Sequence, residues 1–460
     1  MNLHQLLQQR AARETPVRVG LIGAGKFGTM FLAQARRMIG LQVVGVAERE
    51  PARAEAALKT AGWAREAVVL CSTSAAMNDA ARRQQVSITT DATRLIDCEL
   101  DVVVECTGSP VAGAQHALAA IDAGHHVVMV TVEADVLIGP LLQRRAERAG
   151  VVYSLAYGDQ PALVCELVDW ARTCGFEVVA AGKGTKHRPE YHYSTPDTVA
   201  GYYGFTAAQS REVNRQMFNS FLDGTKSAIE MAAVANATGL TPQNCGLQFP
   251  PCSVDQLAET LKPQATGGIL EHAGTVEVVS CLQPDGGLVD QHLRWGVYVT
   301  FAAPTDYVQR CFAEYGVGQD KSGRYAALYR PSHLIGLELG MSVASVALRH
   351  EPTGTAREFR GDVAACAKRD LQVGERLDGE GGYTVYGKLL PAQTSLRQGV
   401  LPIGLADGAK VVRSISRDQM LCYEDVEFST EPLVFQLRRE LESEVRARKS
   451  FPANRPTTKD

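Results

Sequence analysis

The sequence predicts an α/β fold in three parts. An N-terminal domain is built on a parallel sheet, an α+β domain follows, and a small β-rich domain closes the chain. Three observations carry this. Up to residue 160, short apolar runs alternate with segments of helical periodicity, the pattern of a parallel sheet covered by helices on both faces. Over residues 161–354, long helical patterns stand beside strands that alternate apolar and polar residues. Over 355–430, short apolar runs are broken by glycines, as in DLQVGERLDGEGG. Residues 431–460 read as a charged helix and then a disordered tail ending PANRPTTKD.

The elements follow in order. The first dozen residues suggest a short amphipathic lead-in helix. Val17–Ile22 is an apolar strand, and Phe27, Met30, Phe31, Gln34, Ala35 and Met38 then share one helical face up to Gly40. Further strands are expected at 41–47, 86–90, 101–107, 127–132 and 151–156. Ser109-Pro110 supplies an N-cap and a proline at the first helical position, and Gly124 closes that helix. Residues 15–160 thus form the first domain. Beyond it, a helix is expected at 161–175 and a strand at 176–184. Two long helices are expected from 207 to 239. Half-buried antiparallel strands are expected at 275–282 and 295–302.

Composition narrows the function. A chain of 460 residues exceeds one hydrophobic core, and 45% hydrophobic with 21% charged residues is ordinary for a globular protein. A net charge of −4 gives no basic footprint for nucleic acid. No stretch approaches 18 apolar residues, so no membrane span is expected. The start lacks the apolar core of a secretory signal, and the eleven cysteines form no CxxC pair. A cytoplasmic protein with reduced thiols is expected. Ten histidines form neither HExxH nor HxxxH, so no metal site is predicted. An edge or face of the antiparallel strands suggests a homo-oligomer.

The turn Gly23-Ala24-Gly25-Lys26-Phe27-Gly28 joins the first strand to the first sheet helix. Gly23 permits the tight turn, Gly25 admits a pyrophosphate to the backbone, and Gly28 lets the helix close on the strand. The helix N-terminus adds free N–H groups and partial positive charge. Glu48, 20 residues past Gly28 and ending the second strand, is placed to bind ribose hydroxyls, which favours NAD. Arg49 keeps NADP as the alternative. This is the dinucleotide-binding signature of a Rossmann domain. Thr107-Gly108, Thr131-Val132-Glu133 and Tyr157-Gly158-Asp159 follow later strands and are expected beyond the carboxyl ends, where ligands bind; Gly108 lets the nicotinamide ribose come close.

Hydride transfer needs a proton carrier and hydrogen bonds to the substrate oxygen. Lys183, between two glycines that leave room for substrate, is the leading candidate, because burial can bring a lysine pKa down. Lys186 is a weaker one. Asp223, Lys226 and Glu230 form a second group, in which Lys226 and Glu230 share a helix face and could simply pair at the surface. Glu133 is either a site carboxylate or a helix cap. His187, Tyr191, His192 and Tyr193 make a polar aromatic loop, either ordinary surface or a cover for substrate.

The segments VRVGLIGAGKFG, VVVECTG and HHVVMVTVEADVLIGP resemble the N-terminal half of homoserine dehydrogenases. With AAGKGTK, FLDGTKSAIEMAAVANATGL, SVDQLAETL, PQATGGIL and the segment from Gly361, the chain is similar, over residues 15–430, to homoserine-dehydrogenase-like oxidoreductases with a C-terminal SAF domain. That group includes 1-deoxy-D-xylulose 5-phosphate reductoisomerase-like proteins. The resemblance implies a Rossmann domain at 15–160, a substrate and oligomerisation domain at 161–354 and an SAF-like domain at 355–430. Two departures stand out. Glu133 falls where homoserine dehydrogenases carry a lysine, and Lys226 and Glu230 replace their aspartate and lysine with the charges exchanged. Homoserine is therefore not the expected substrate. The expectation is an NAD(P)-dependent oxidoreductase acting on a small polar polyol, sugar or hydroxy acid, with or without phosphate. The alternative is a non-catalytic NAD- or sugar-responsive binding protein.

Overall fold

The computed structural model of the protein describes residues 2–206 and 213–450. The start of the helical pattern read from residue 207 and the tail beyond 450 lie outside the described residues.

Helix α1 (Leu3–Ala12) leads into β1 (Val17–Ile22), α2 (Lys26–Ala35), β2 (Leu41–Ala47) and α3 (Pro51–Thr60). Strands β3 (Val68–Leu70), β4 (Val86–Thr89) and β5 (Val102–Glu105) follow, then α4 (Pro110–Asp122), β6 (His126–Met129), α5 (Val132–Arg148) and β7 (Tyr153–Leu155). These seven strands form one parallel sheet in the order β3-β4-β2-β1-β5-β6-β7. The order reverses between β1 and β5, so the ligand crevice opens beyond the carboxyl ends of those strands. The expected cap at Ser109 is present: its hydroxyl accepts from the Ala112 amide at 3.4 Å, with Pro110 next to it. Strand β3 was not expected. It has three residues, none fully buried, and so carries no apolar run to read.

The second sheet runs β11-β12-β10-β8-β9, where β8 is Glu177–Thr185, β9 Thr275–Ser280, β10 Val297–Ala302, β11 Gly318–Gln319 and β12 Tyr325–Arg330. Helices α6 (Gln160–Thr173) and α8 (Thr225–Thr238) pack on it, and α7 (Arg215–Leu222) precedes α8. Two expectations are corrected here. Strands β9 and β10 are buried at every position, because their polar residues point into the protein and find partners there. Strand β9 also pairs in parallel with β8; β10 alone of the two is antiparallel to it.

After residue 360 the chain forms two small antiparallel pairs, β13 (Gly361–Ala367) with β14 (Val385–Pro391) and β15 (Lys410–Val411) with β16 (Val426–Glu427). Strands β13 and β14 pack on α8. Helix α9 (Leu433–Ser450) docks on α4 and α5. Its Arg438 is fully buried and pairs with Asp362 at 2.5 Å and Glu442 at 2.9 Å. No helix of the described residues is long and apolar enough to cross a membrane.

Candidate active site

The glycine turn closes the end of β1. Gly23 has φ +102°, and a Cβ there would lie 2.7 Å from the Cys106 carbonyl oxygen. A Cβ on Gly28 would lie 2.4 Å from the Gly23 carbonyl oxygen, so close packing demands both glycines. Gly25, the N-cap of α2, and Gly108 differ. The nearest atom to a Cβ on Gly25 would be Arg53 Nη2 at 3.4 Å, and nothing lies within 4 Å at Gly108. Their open faces are the cradle a dinucleotide needs, with Lys26 and Phe27 opening the helix beside it. Glu48 Oε2 accepts the Ala24 amide at 2.9 Å and so braces the turn, while its Oε1 has only the Glu50 amide at 3.5 Å. Arg49 is exposed. Arg53, which reaches over the turn from α3, was missed by sequence reasoning because nothing local aims it there.

At the end of β5 the buried side chain of Glu105 organises the segment expected to meet the nicotinamide. It accepts Thr107 Oγ1 at 2.6 Å and Thr131 Oγ1, and His116 Nδ1 lies 3.3 Å away. Thr131 Oγ1 in turn accepts the Gly108 amide at 3.0 Å. Thr107, Gly108 and Thr131 are therefore one hydrogen-bonded unit, held by a residue the sequence did not single out.

Two residues past Thr131 the charged cluster begins. Glu133, in the first turn of α5, pairs with Lys226 of α8. One helical turn further along α8, Glu230 pairs with Lys183 of β8, and both are buried. Asp159 caps α6 through the Gln160 amide at 3.0 Å and lies 7% exposed. Burial and the negative charge of Glu230 push its carboxyl up to about 7, against the pull of Lys226 and Lys183. Asp159 thus sits inside the cluster poised to exchange a proton near neutral pH. Burial opposes the charge on Lys226, but Glu133, Glu380, Glu230 and Asp159 outweigh it and raise its pKa. Lys226 is therefore held as an ammonium group that donates hydrogen bonds.

Other expectations are corrected too. Gly182 and Gly184 leave no room for substrate. A Cβ on either would lie within 2 Å of the Glu277 or Leu293 carbonyl oxygen, so these glycines admit neighbouring backbone. Lys226 and Glu230 do not pair with each other across one face, because each finds a partner on another element. Asp223 is occupied: one oxygen accepts the Thr225 amide at 2.9 Å and the other meets Lys368 Nζ at 2.7 Å. Lys186 donates to the Tyr202 carbonyl at 2.6 Å, away from the cluster. The aromatic loop is held by contacts within the protein. His187 stacks on Phe249 at 3.9 Å, His192 on Tyr386 at 4.6 Å, and Tyr193 bonds Asp418 at 2.9 Å. His333, near Lys183 and Glu230 with Nδ1 2.7 Å from the Trp295 carbonyl, was not foreseen. Among the described residues no group of three or more His, Cys, Asp or Glu side chains could hold a metal ion.

Two family models match this chain. Residues 19–153 match the homoserine dehydrogenase NAD binding domain, and residues 158–339 match the catalytic domain of oxidoreductase DRL. Over these two segments the chain is similar to parts of oxidoreductases. Asp159 lies at the start of the second matched segment, a few residues past the end of the NAD-binding match. No curated protein matches the sequence. Among solved structures, an Agrobacterium radiobacter oxidoreductase in complex with NAD+, L-tartaric acid and magnesium is 16% identical with a TM-score of 0.27, covering 37% of this chain and 45% of that one. Myo-inositol dehydrogenase of Lactobacillus casei is 17% identical with a TM-score of 0.28, covering 40% and 50%. The WlbA dehydrogenase of Bordetella pertussis is 15% identical with a TM-score of 0.32, covering 62% and 73%. The chain thus spans about half the length of the first two of these proteins.

Proposed function

We propose that the protein oxidises or reduces a small polar polyol, sugar or hydroxy acid, with or without a phosphate, using NAD in preference to NADP. The observation that carries this is Asp159, a buried carboxyl with a near-neutral pKa among the ammonium groups of Lys183 and Lys226. Bound NAD supplies the hydride acceptor, held by Gly23, Gly25, Lys26, Phe27, Gly28 and Glu48 at one end and by Thr107, Gly108 and Thr131 at the other. Asp159 takes the hydroxyl proton in oxidation and returns it in reduction. Lys183 donates a hydrogen bond to the same oxygen and offsets its developing charge, while Glu230 holds Lys183 in place. Lys226, fixed by Glu133, orients a neighbouring oxygen of the substrate. The presence of two ammonium groups favours a nested second reading, a reductoisomerase-like reaction on a substrate with adjacent carbonyl and hydroxyl groups. An SAF-like C-terminal domain and a homo-oligomer belong to the same proposal.

The test is a screen of cofactor reduction over sugar phosphates, polyols and hydroxy acids, with the reverse reaction from reduced cofactor. Turnover of at least one compound is expected; none in either direction overturns the reading. On the substrate found, Lys183→Met is expected to lose more than about tenfold in kcat, each factor of ten being about 1.4 kcal/mol of transition-state stabilisation. Unchanged turnover removes Lys183 from the mechanism. Glu48→Gln keeps an acceptor for the Ala24 amide but drops the charge that opposes a 2′-phosphate. The ratio of kcat/KM with NAD to that with NADP is expected to fall at least about tenfold, a charge-assisted bond being worth roughly 1.5 kcal/mol or more. An unchanged ratio would take the cofactor choice away from Glu48.

A further inference from the structure

Both matched segments end before residue 340, yet the chain beyond them enters the cluster. Lys368, directly after β13 and buried, meets Asp223 and donates to the Ser194 and Gly382 carbonyls at 2.8 and 2.7 Å. The loop 378–382 is thereby drawn against α7. Gln216 Nε2 donates to the Asp378 and Glu380 carbonyls at 2.9 and 3.0 Å, and Asn219 Nδ2 to the Gly381 carbonyl at 2.9 Å. The loop lies so close that a Cβ on Gly381 would stand 2.1 Å from the Gln216 carbonyl oxygen. Four hydrogen bonds from Lys368, Gln216 and Asn219 therefore hold the backbone of one short loop. The loop's Asp378 carboxyl accepts the Tyr383 and Thr384 amides, whereas Glu380 accepts from Ser220 Oγ and faces Glu133, Lys226 and Asp223.

We propose that Glu380 is a catalytic residue, a hydrogen-bonding acid that the C-terminal segment adds to the site beside Lys226, so that the substrate is held by three parts of the chain. The inference rests on the hydride-transfer reading above. The charges support it. Glu133, Glu230, Asp223, Asp159 and Glu380 meet three lysines, Lys183, Lys226 and Lys368. Each lysine has one partner at contact distance, namely Glu230, Glu133 and Asp223. Asp159 and Glu380 are the two carboxyls left over, and the charge of each acts on Lys226. Burial and the charge of Glu133 push Glu380 up to about 7, so near neutrality it carries a proton to donate. Lys226 and Glu133 retain 17% and 12% exposure, which leaves this end of the cluster open to an entering molecule.

The experiment compares full-length wild type, Glu380→Gln and Glu380→Ala on the substrate found by the screen. Affinity for NADH, read from its fluorescence, and the melting temperature serve as structural controls. In the oxidation direction, wild-type kcat/KM is expected to rise to a maximum near pH 7 as Asp159 ionises and to fall above it as Glu380 loses its proton. Glu380→Gln keeps a donor without the titration, so the fall above pH 7 disappears. Glu380→Ala raises KM at least tenfold, with NADH affinity and melting temperature unchanged. A wild-type KM in Glu380→Ala together with a wild-type pH profile in Glu380→Gln overturns this inference and leaves the hydride reading standing. A wild type that turns over nothing in the panel overturns both.

Discussion

Asp159→Asn is expected to lower kcat by about 10³-fold, within the 10²–10⁴ range of a positioned proton carrier. The variant keeps the side-chain oxygen that caps α6, so the helix and its packing should survive. Wild-type pH dependence should differ with direction. Oxidation needs the ionised carboxylate, and its kcat rises towards about pH 7; reduction needs the acid, and its kcat falls above that point. Stability should fall as pH rises, opposite to the oxidation rate. The folded state raises this carboxyl from its ordinary 3.8 to about 7, so it favours the neutral form. The stability attached to that preference is fully present below pH 3.8 and is lost as pH rises through 7. An asparagine cannot ionise and escapes the loss. Melting curves at pH 8 should therefore place Asp159→Asn above wild type, with the gap shrinking towards pH 4. A variant that is less stable and less active at every pH would mark Asp159 as structural rather than catalytic.

The cofactor end of this site was legible in the sequence because its determinants are local. Gly23, Gly25 and Gly28 lie within one turn, and their steric demands are visible in the spacing alone. Glu48 follows from the length of one strand–helix–strand unit. The chemistry end was legible only as residue types. Its pairs join Lys183 to a residue 47 positions away, Lys226 to one 93 away and Asp223 to one 145 away. No periodicity links such positions, so helical spacing suggested a pairing of Lys226 with Glu230 that the fold replaces. Asp159 carried one signal, its place after the last strand of the first sheet, and its raised pKa depends on burial that only the packed domains create. Glu380 sits in a glycine-rich stretch that reads as an ordinary turn. The loop is special only because Lys368 and α7 hold it. Strands β9 and β10 show the same limit: alternation predicted one wet face, but a second layer of structure covers it.

Arg438→Met is expected to be the most destabilising single change outside the site. The guanidinium is fully buried, bonded to Asp362 and Glu442, 3.3 Å from the Leu137 carbonyl oxygen and 4.7 Å from the Phe359 ring centroid. It thus ties α9 both to α5 and to β13. Removing one partner leaves the Asp362 carboxylate buried with Ser395 at 2.5 Å but no counter-charge, a loss of about 3–5 kcal/mol. Replacing the whole group with neutral residues should cost far less, because the desolvation penalty disappears together with the attraction. The triple variant Arg438→Met, Asp362→Asn, Glu442→Gln should therefore melt well above Arg438→Met alone. If the triple variant melts no higher, the loss reflects packing of the long side chain rather than stranded charge. The single variant should also weaken substrate use: Lys368 directly follows β13, so a loosened strand slackens the loop that carries Glu380. KM should rise while NADH affinity, set by the glycine turn on the far side of the first sheet, stays the same. A parallel loss of NADH affinity would instead mean that α9 braces the whole first domain through α4 and α5.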